Sequence, residues 1–206
     1  MTPRIAVIDH GAGNLVSIAQ GLARVAALVE VVTRPEEMAG ANGIVLPGVG
    51  ATASVMDAVN RLGFADRLRE ATVPLLGICV GMQVLFEESE EDGAVGLGLL
   101  PGRVVRIPEA PMLPHIGWND VNIEQPDPML AGMPPAPIFY FVHSYAPVPV
   151  RPQTVIGSTT YGSTFVSMVR HDLVAGVQFH PERSGPTGLR LLANFVTDCR
   201  ERALAA

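Results

Sequence analysis

One cysteine stands where a nucleophile would. Gly77-Ile78-Cys79-Val80-Gly81 closes an apolar run, Val73 to Ile78, and opens a helix-like pattern through Phe86. Gly-x-Cys-x-Gly between a strand and a helix is the thiol form of the nucleophile elbow, a tight turn that holds a reactive side chain out at the end of a sheet. Side chains at Gly77 or Gly81 would crowd such a turn. Free N–H groups at the start of the helix favour a thiolate. The same five residues also suit a cysteine that is merely packed, because free cysteines are among the most buried residues. A second constellation decides between the two. Ala175 to Phe179 reads as a strand running into His180-Pro181-Glu182. In extended backbone residues i and i+2 share a face, so His180 and Glu182 would meet, with Pro181 stiffening the link. A carboxylate beside an imidazole sets its tautomer and raises its basicity, as the third member of a triad does. An α/β-hydrolase runs nucleophile, acid, histidine. This chain runs cysteine, histidine, glutamate.

Elements must bring these residues together. Ile5–Asp9 reads as a buried strand, followed by the glycine-rich turn His10–Asn14. Leu15, Ile18, Leu22 and Val25 then recur at helical spacing. Strands are expected at Glu30–Thr33, Gly43–Leu46 and Val73–Ile78, and helices at about Ser54–Leu62 and on to Glu70. This alternation implies an α/β fold, a mainly parallel twisted sheet with helices on both faces. Ligands of such sheets bind beyond the carboxyl ends of the strands, where loops 9–14, 47–50 and 79–81 would gather. The acidic run Glu87–Asp92 reads as a solvated helix end and loop. Short β-like runs follow at Val104–Ile107, Asp120–Ile123, Ile138–Val142, Thr154–Thr160 and Thr164–Val169, an antiparallel extension covering the sheet. Between them, Trp118 falls in an exposed-looking loop. A last helix, Thr187–Ala203, would bury Cys199 on its core face.

Composition excludes several classes. The 206 residues, 48% of them hydrophobic, suffice for one substantial core and one domain. A net charge of −6 with no basic cluster gives nucleic-acid binding little support. Two cysteines without metal-like spacing suit a reducing cytoplasm. No stretch near the elbow is long enough to span a bilayer, and the N-terminus does not read as a signal peptide. No cofactor or metal is implied.

Gly77 to Gln83 together with Gln178-Phe179-His180-Pro181-Glu182 resembles the class I, triad-type glutamine amidotransferases over essentially the whole chain. Gly11 to Leu15, Leu46 to Gly50, Pro114 to Asn119 and Phe139 to Tyr145 are similar to the histidine-biosynthesis branch of that family. The resemblance implies glutamine as substrate, cleaved to glutamate and ammonia through a thioester on Cys79, with His180 as acid and base and Glu182 as its orienter. Oxyanion donors would be the Val80 N–H and the backbone around Val49 and Gly50. This hole is expected to be incomplete until a partner binds. Gln83, the backbone of Ser144 and Tyr145, and Glu91 would contact the substrate. The family implies an obligate (β/α)8-barrel cyclase or synthase subunit that receives the ammonia, with Asn14, Trp118 and Arg183 at the interface. Arg183 departs from the family's usual lysine after His-Pro-Glu, and arginine differs from lysine in shape and hydrogen bonding. Rival readings are the glutaminase of another pathway, a silent regulator of the same fold, or a thiol peptidase.

Overall fold

The computed structural model describes residues 2–205. Its first half is a run of strand–helix units. β1 (Arg4–Ile8) leads through α1 (Leu15–Arg24) to β2 (Leu28–Val32), and β3 (Gly43–Gly48) follows. Helices α2 (Thr52–Arg61) and α3 (Phe64–Arg69) precede β4 (Leu75–Cys79) and the one-turn α4 (Val80–Gln83). Every residue of β3 and β4 is buried, as is the apolar part of β1. A strand covered on both faces reads as a continuous apolar run rather than an alternation.

The second half is largely β. Strands β5 (Glu88–Ser89), β6 (Gly102–Arg106), β7 (His115–Asp120), β8 (Asn122–Ile123), β9 (Ile138–His143) and β10 (Tyr145–Pro149) come first. Then follow β11 (Val155–Tyr161), β12 (Ser163–His171), β13 (Val174–Val177) and the long α5 (Gly185–Ala205). The main sheet has the order β2-β1-β3-β4-β13-β12-β11-β8. Pairing is parallel from β2 to β13 and antiparallel from β13 to β8. The chain thus returns after a long excursion to lay β13 beside β4, so the strand that ends in Cys79 and the strand that leads to His180 are neighbours and run the same way. Two smaller sheets, β10-β6-β5 and β7-β9, complete the β structure.

Helices cover both faces of the main sheet. A Cβ at Gly43 would meet the Cys199 sulfur of α5, and one at Gly48 would meet Gly81 and Val80 of α4. Positions five apart on one strand point to opposite faces, so α5 and α4 lie on opposite sides. Cys199 is fully buried, as its place on the helix implied. Burial, helped by the neighbouring Asp198, pushes its thiol up to about 12.

Several sequence expectations need correction. The second strand starts two residues early, at Leu28. It is an edge strand with Leu28 and Val31 exposed, so its apolar residues do not mark one face. The elbow helix stops at Gln83 rather than Phe86. The carbonyls of Val84, Leu85 and Phe86 accept from the N–H groups of Leu97 to Leu100 instead of continuing the helix. His115–Asn119 is a strand, not a loop, and pairs antiparallel with β9. The antiparallel strands do not simply cover the sheet: β12, β11 and β8 widen it. The acidic run is largely exposed, as expected, but it is also pinned in place. Glu87, Glu90, Glu91 and Asp92 accept the backbone N–H groups of Gly102, Arg106, Thr52 and Ala53, fastening this loop to α2 and β6.

Candidate active site

The elbow is built on glycine packing. A Cβ on Gly81 would lie 1.9 Å from the Leu46 carbonyl oxygen, and one on Gly77 would lie 2.5 Å from the Gly81 carbonyl oxygen. No real contact is that short, so α4 can rest directly on the β3 backbone only if both positions are glycine. Cys79 itself holds φ 56° and ψ −114°, a strained conformation for a residue with a Cβ. The thiol is buried, 3.9 Å from the Val142 carbonyl oxygen and 3.7 Å from Gln178 Nε2.

His180 arrives from β13 by a route that the sequence pattern did not foretell. The strand ends at Val177, and Pro181–Arg183 is a turn of 3-10 helix, so the i, i+2 pleat does not join His180 to Glu182. The turn folds Glu182 back beneath the ring, and His180 Nδ1 donates to Glu182 Oε1 at 2.8 Å. That bond assigns the Nδ1 proton. The His180 N–H donates to the Tyr140 carbonyl, and the Ser184 hydroxyl donates to the His180 carbonyl, which anchors the turn to β9. The other ring nitrogen, Nε2, is buried with no hydrogen-bond partner among the described residues. Burial by itself pulls the imidazole down, but Cys79 and Glu182 together outweigh it and raise it to about 10. A charged imidazole beside a thiol and a carboxylate is the arrangement that proton transfer at sulfur needs.

Cys79 and His180 share a cavity of about 160 Å³ with Val49, Gly50, Val80, Gln83, Glu91, Val142, His143, Ser144 and Tyr145. Every residue expected from sequence to bind substrate or oxyanion therefore lines one space. Two of them are already engaged. Glu91 accepts from the backbone N–H and the hydroxyl of Thr52, both at 3.0 Å. Gln83 Nε2 donates to the Tyr145 carbonyl and to Gln178 Oε1, both at 3.1 Å, so both of its protons are committed within the protein. Asn14 lies outside this cavity but lines a smaller one with Glu182, His180 and Val49. Trp118 and Arg183 lie elsewhere and meet over one ring: Trp118 packs edge-on against Tyr140, and the Arg183 guanidinium sits 5.6 Å from the centre of the same ring. Trp118 is 59% exposed.

Gln178, His143 and Thr52 have no role assigned from sequence. Gln178 did leave a signal, as a lone polar residue in the apolar run Ala175 to Phe179. His143 sits inside a family motif, but only its ring contacts reveal a role. Its Nδ1 donates to the Tyr145 carbonyl at 2.8 Å, and its Nε2 accepts from His115 Nδ1 at 3.2 Å. Burial, with smaller help from His115 and His180, lowers His143 to about 3, so it is neutral.

A cysteine elbow on a doubly covered parallel sheet, facing a histidine–glutamate pair from the adjacent strand, defines a class of amide-cleaving thiol enzymes. Residues 6–199 match the model of the family "Glutamine amidotransferase class-I", and the chain belongs to that family. Among similar proteins is the imidazole glycerol phosphate synthase subunit HisH of Synechococcus sp. (strain JA-3-3Ab), 47% identical over 98% of this chain and 97% of its own length. The protein of the same name from Moorella thermoacetica is also 47% identical, over 93% of each chain. Among solved structures, a putative GMP synthase protein from Thermoplasma acidophilum superposes with a TM-score of 0.80 at 20% identity, covering 100% of this chain and 98% of that one; the likeness is one of fold. Among the described residues no helix is long and apolar enough to cross a membrane.

Proposed function

We propose that this chain is the glutaminase subunit of an imidazole glycerol phosphate synthase, hydrolysing glutamine to glutamate and ammonia in histidine biosynthesis. The observation that carries the chemistry is the convergence of Cys79 and His180 on one cavity, with Glu182 bonded to the far side of the imidazole. The near full-length similarity to HisH-named proteins carries the pathway.

Cys79, as thiolate, attacks the side-chain amide carbon of glutamine. The imidazolium of His180 gives its Nε2 proton to the leaving nitrogen, and ammonia departs. A thioester remains on Cys79. Water then attacks it, His180 takes the water's proton, and glutamate leaves as the thiolate reforms. Glu182 holds the ring and stabilises its charged form. The Val80 N–H, next after the nucleophile, is one oxyanion donor. The second comes from the backbone at Val49 and Gly50. Gly48 is locked by close packing on Gly81, whereas Gly50, at φ +90°, has open space about it, so turning of this segment is easiest on the Gly50 side. A donor turned away there would withhold about 3 kcal/mol of barrier lowering until a partner reorients it.

Ammonia in water is mostly protonated and no longer a nucleophile, so it must pass directly to an acceptor site. We assign that site to a (β/α)8-barrel cyclase subunit in a heterodimer, with Asn14, Trp118 and Arg183 on the contact face and the pair resident in the cytoplasm. The test is a glutaminase assay of the parent and of Cys79→Ala, each with and without the cyclase and its nucleotide ligand. The parent is expected to be nearly inactive alone and strongly activated in the complex, and Cys79→Ala inactive in both. Activity in Cys79→Ala removes the nucleophile, and activation by a different synthase overturns the pathway.

A further inference from the structure

The mechanism above leaves one buried polar group in contact with the reacting sulfur unused. Gln178 is fully buried at the end of β13, and its carboxamide lies between Gln83 and Cys79. Its orientation follows from its neighbours. A backbone carbonyl can only accept, so the Gln83 group 3.1 Å from the Tyr145 carbonyl oxygen is the NH2. The same nitrogen lies 3.1 Å from the Gln178 side chain, which must therefore present its oxygen to Gln83. The Gln178 NH2 is left facing Cys79 Sγ at 3.7 Å. The Tyr145 carbonyl that starts this sequence is itself fixed, because the neutral His143 donates to it through Nδ1.

We propose that Gln178 is a further catalytic residue, an amide N–H donor that stabilises the Cys79 thiolate. A neutral thiol is a weak acceptor, whereas a thiolate is a strong one, so a fixed N–H favours the ionised sulfur. The Val142 carbonyl, 3.9 Å from the sulfur, works in the other direction by accepting from the neutral thiol. Gln178 also differs from His180 in one respect. His180 gives its proton to the departing ammonia and regains one only when water attacks the thioester, whereas a carboxamide gives up no proton at any step. Its N–H therefore stays on the sulfur throughout, and supports the leaving thiolate alongside the recharged imidazolium when the thioester C–S bond breaks.

This inference rests on the reading of Cys79 as the nucleophile, and its test is separable from that reading. Gln178→Leu and Gln178→Met keep the bulk of the side chain and remove the donor. The rate of Cys79 alkylation by iodoacetamide is measured on the intact chain at pH 6 and pH 10, with the label located on the Cys79 peptide so that Cys199 does not interfere. The variants are expected to react roughly tenfold more slowly than the parent at pH 6 and within about twofold of it at pH 10, as loss of a hydrogen bond to a charged group would give. In the complex, kcat should fall about as far, with KM nearly unchanged. In the parent, the side-chain NH2 resonance of Gln178 should titrate together with Cys79 reactivity and shift on alkylation, a measurement that needs no variant to fold. Equal pH 6 rates in folded variants, or a Gln178 resonance indifferent to alkylation, overturn the proposal. Glutaminase activity surviving in Cys79→Ala instead overturns the reading beneath it.

Discussion

His180 and His143 border the same cavity and are driven in opposite directions. His180 is held protonated up to about 10 because a thiol and a carboxylate face it. His143 is held neutral down to about 3, first because burial disfavours its charge, and its only charge-favouring contact is the Tyr145 carbonyl. The sign of the stability effect differs accordingly. Between about pH 3 and 6.5 the unfolded chain protonates His143 and the native chain does not, so stability falls as pH drops through that window. The slope from this one residue approaches about 1.4 kcal/mol per pH unit. Urea midpoints measured from pH 7 to pH 4 on the parent and on His143→Leu check it: the variant, having no histidine there to protonate, should lose stability less steeply.

The strands of the central sheet were legible because burial on both faces writes them as unbroken apolar runs; β1, β3 and β4 begin and end within two residues of their expected bounds. The elements that failed share a cause, in that partners distant in sequence fix them. The α4 helix ends where residues 97–100 take its carbonyls. β7 has Gly117 at φ 145° and exposed Ile116 and Trp118, and only pairing with β9 makes it a strand. The triad types and the cavity lining were readable as motifs. The hydrogen bonds from Gln178 and Thr52 reach residues far along the chain and leave no local pattern, whereas that of His143 reaches only Tyr145 and is hidden because local sequence does not show its burial. The elbow also offers the sharpest test at this scale. Gly81→Ala would drive a methyl into the Leu46 carbonyl. It should cost more than about 3 kcal/mol or prevent folding, because neither backbone can yield without breaking the β3–β4 ladder. Chemical denaturation reads this directly, and a near-parental midpoint would mean that α4 does not rest on β3 as described.

For the whole molecule, the proposed partner face is the natural place to look beyond Cys79, His180 and Glu182. Trp118, Tyr140 and Arg183 form one contiguous patch, and β9 carries Tyr140 two residues from Val142, which lines the cavity shared by Cys79 and His180. An exposed tryptophan braced on a tyrosine is well suited to anchor a protein contact. Trp118→Ala should leave the melting temperature within a few degrees of the parent and weaken cyclase binding by about 2 kcal/mol, measured by calorimetry. Unchanged affinity would place the interface elsewhere. The backbone of Cys79 has a different consequence for the molecule as a whole. A side chain held at φ 56° carries roughly 1–3 kcal/mol of strain that glycine would not. Cys79→Gly should therefore melt at a higher temperature than Cys79→Ala, which lacks the proposed nucleophile just as fully. Thermostability screening that does not also demand turnover would drift toward glycine at this residue, trading the reaction for robustness.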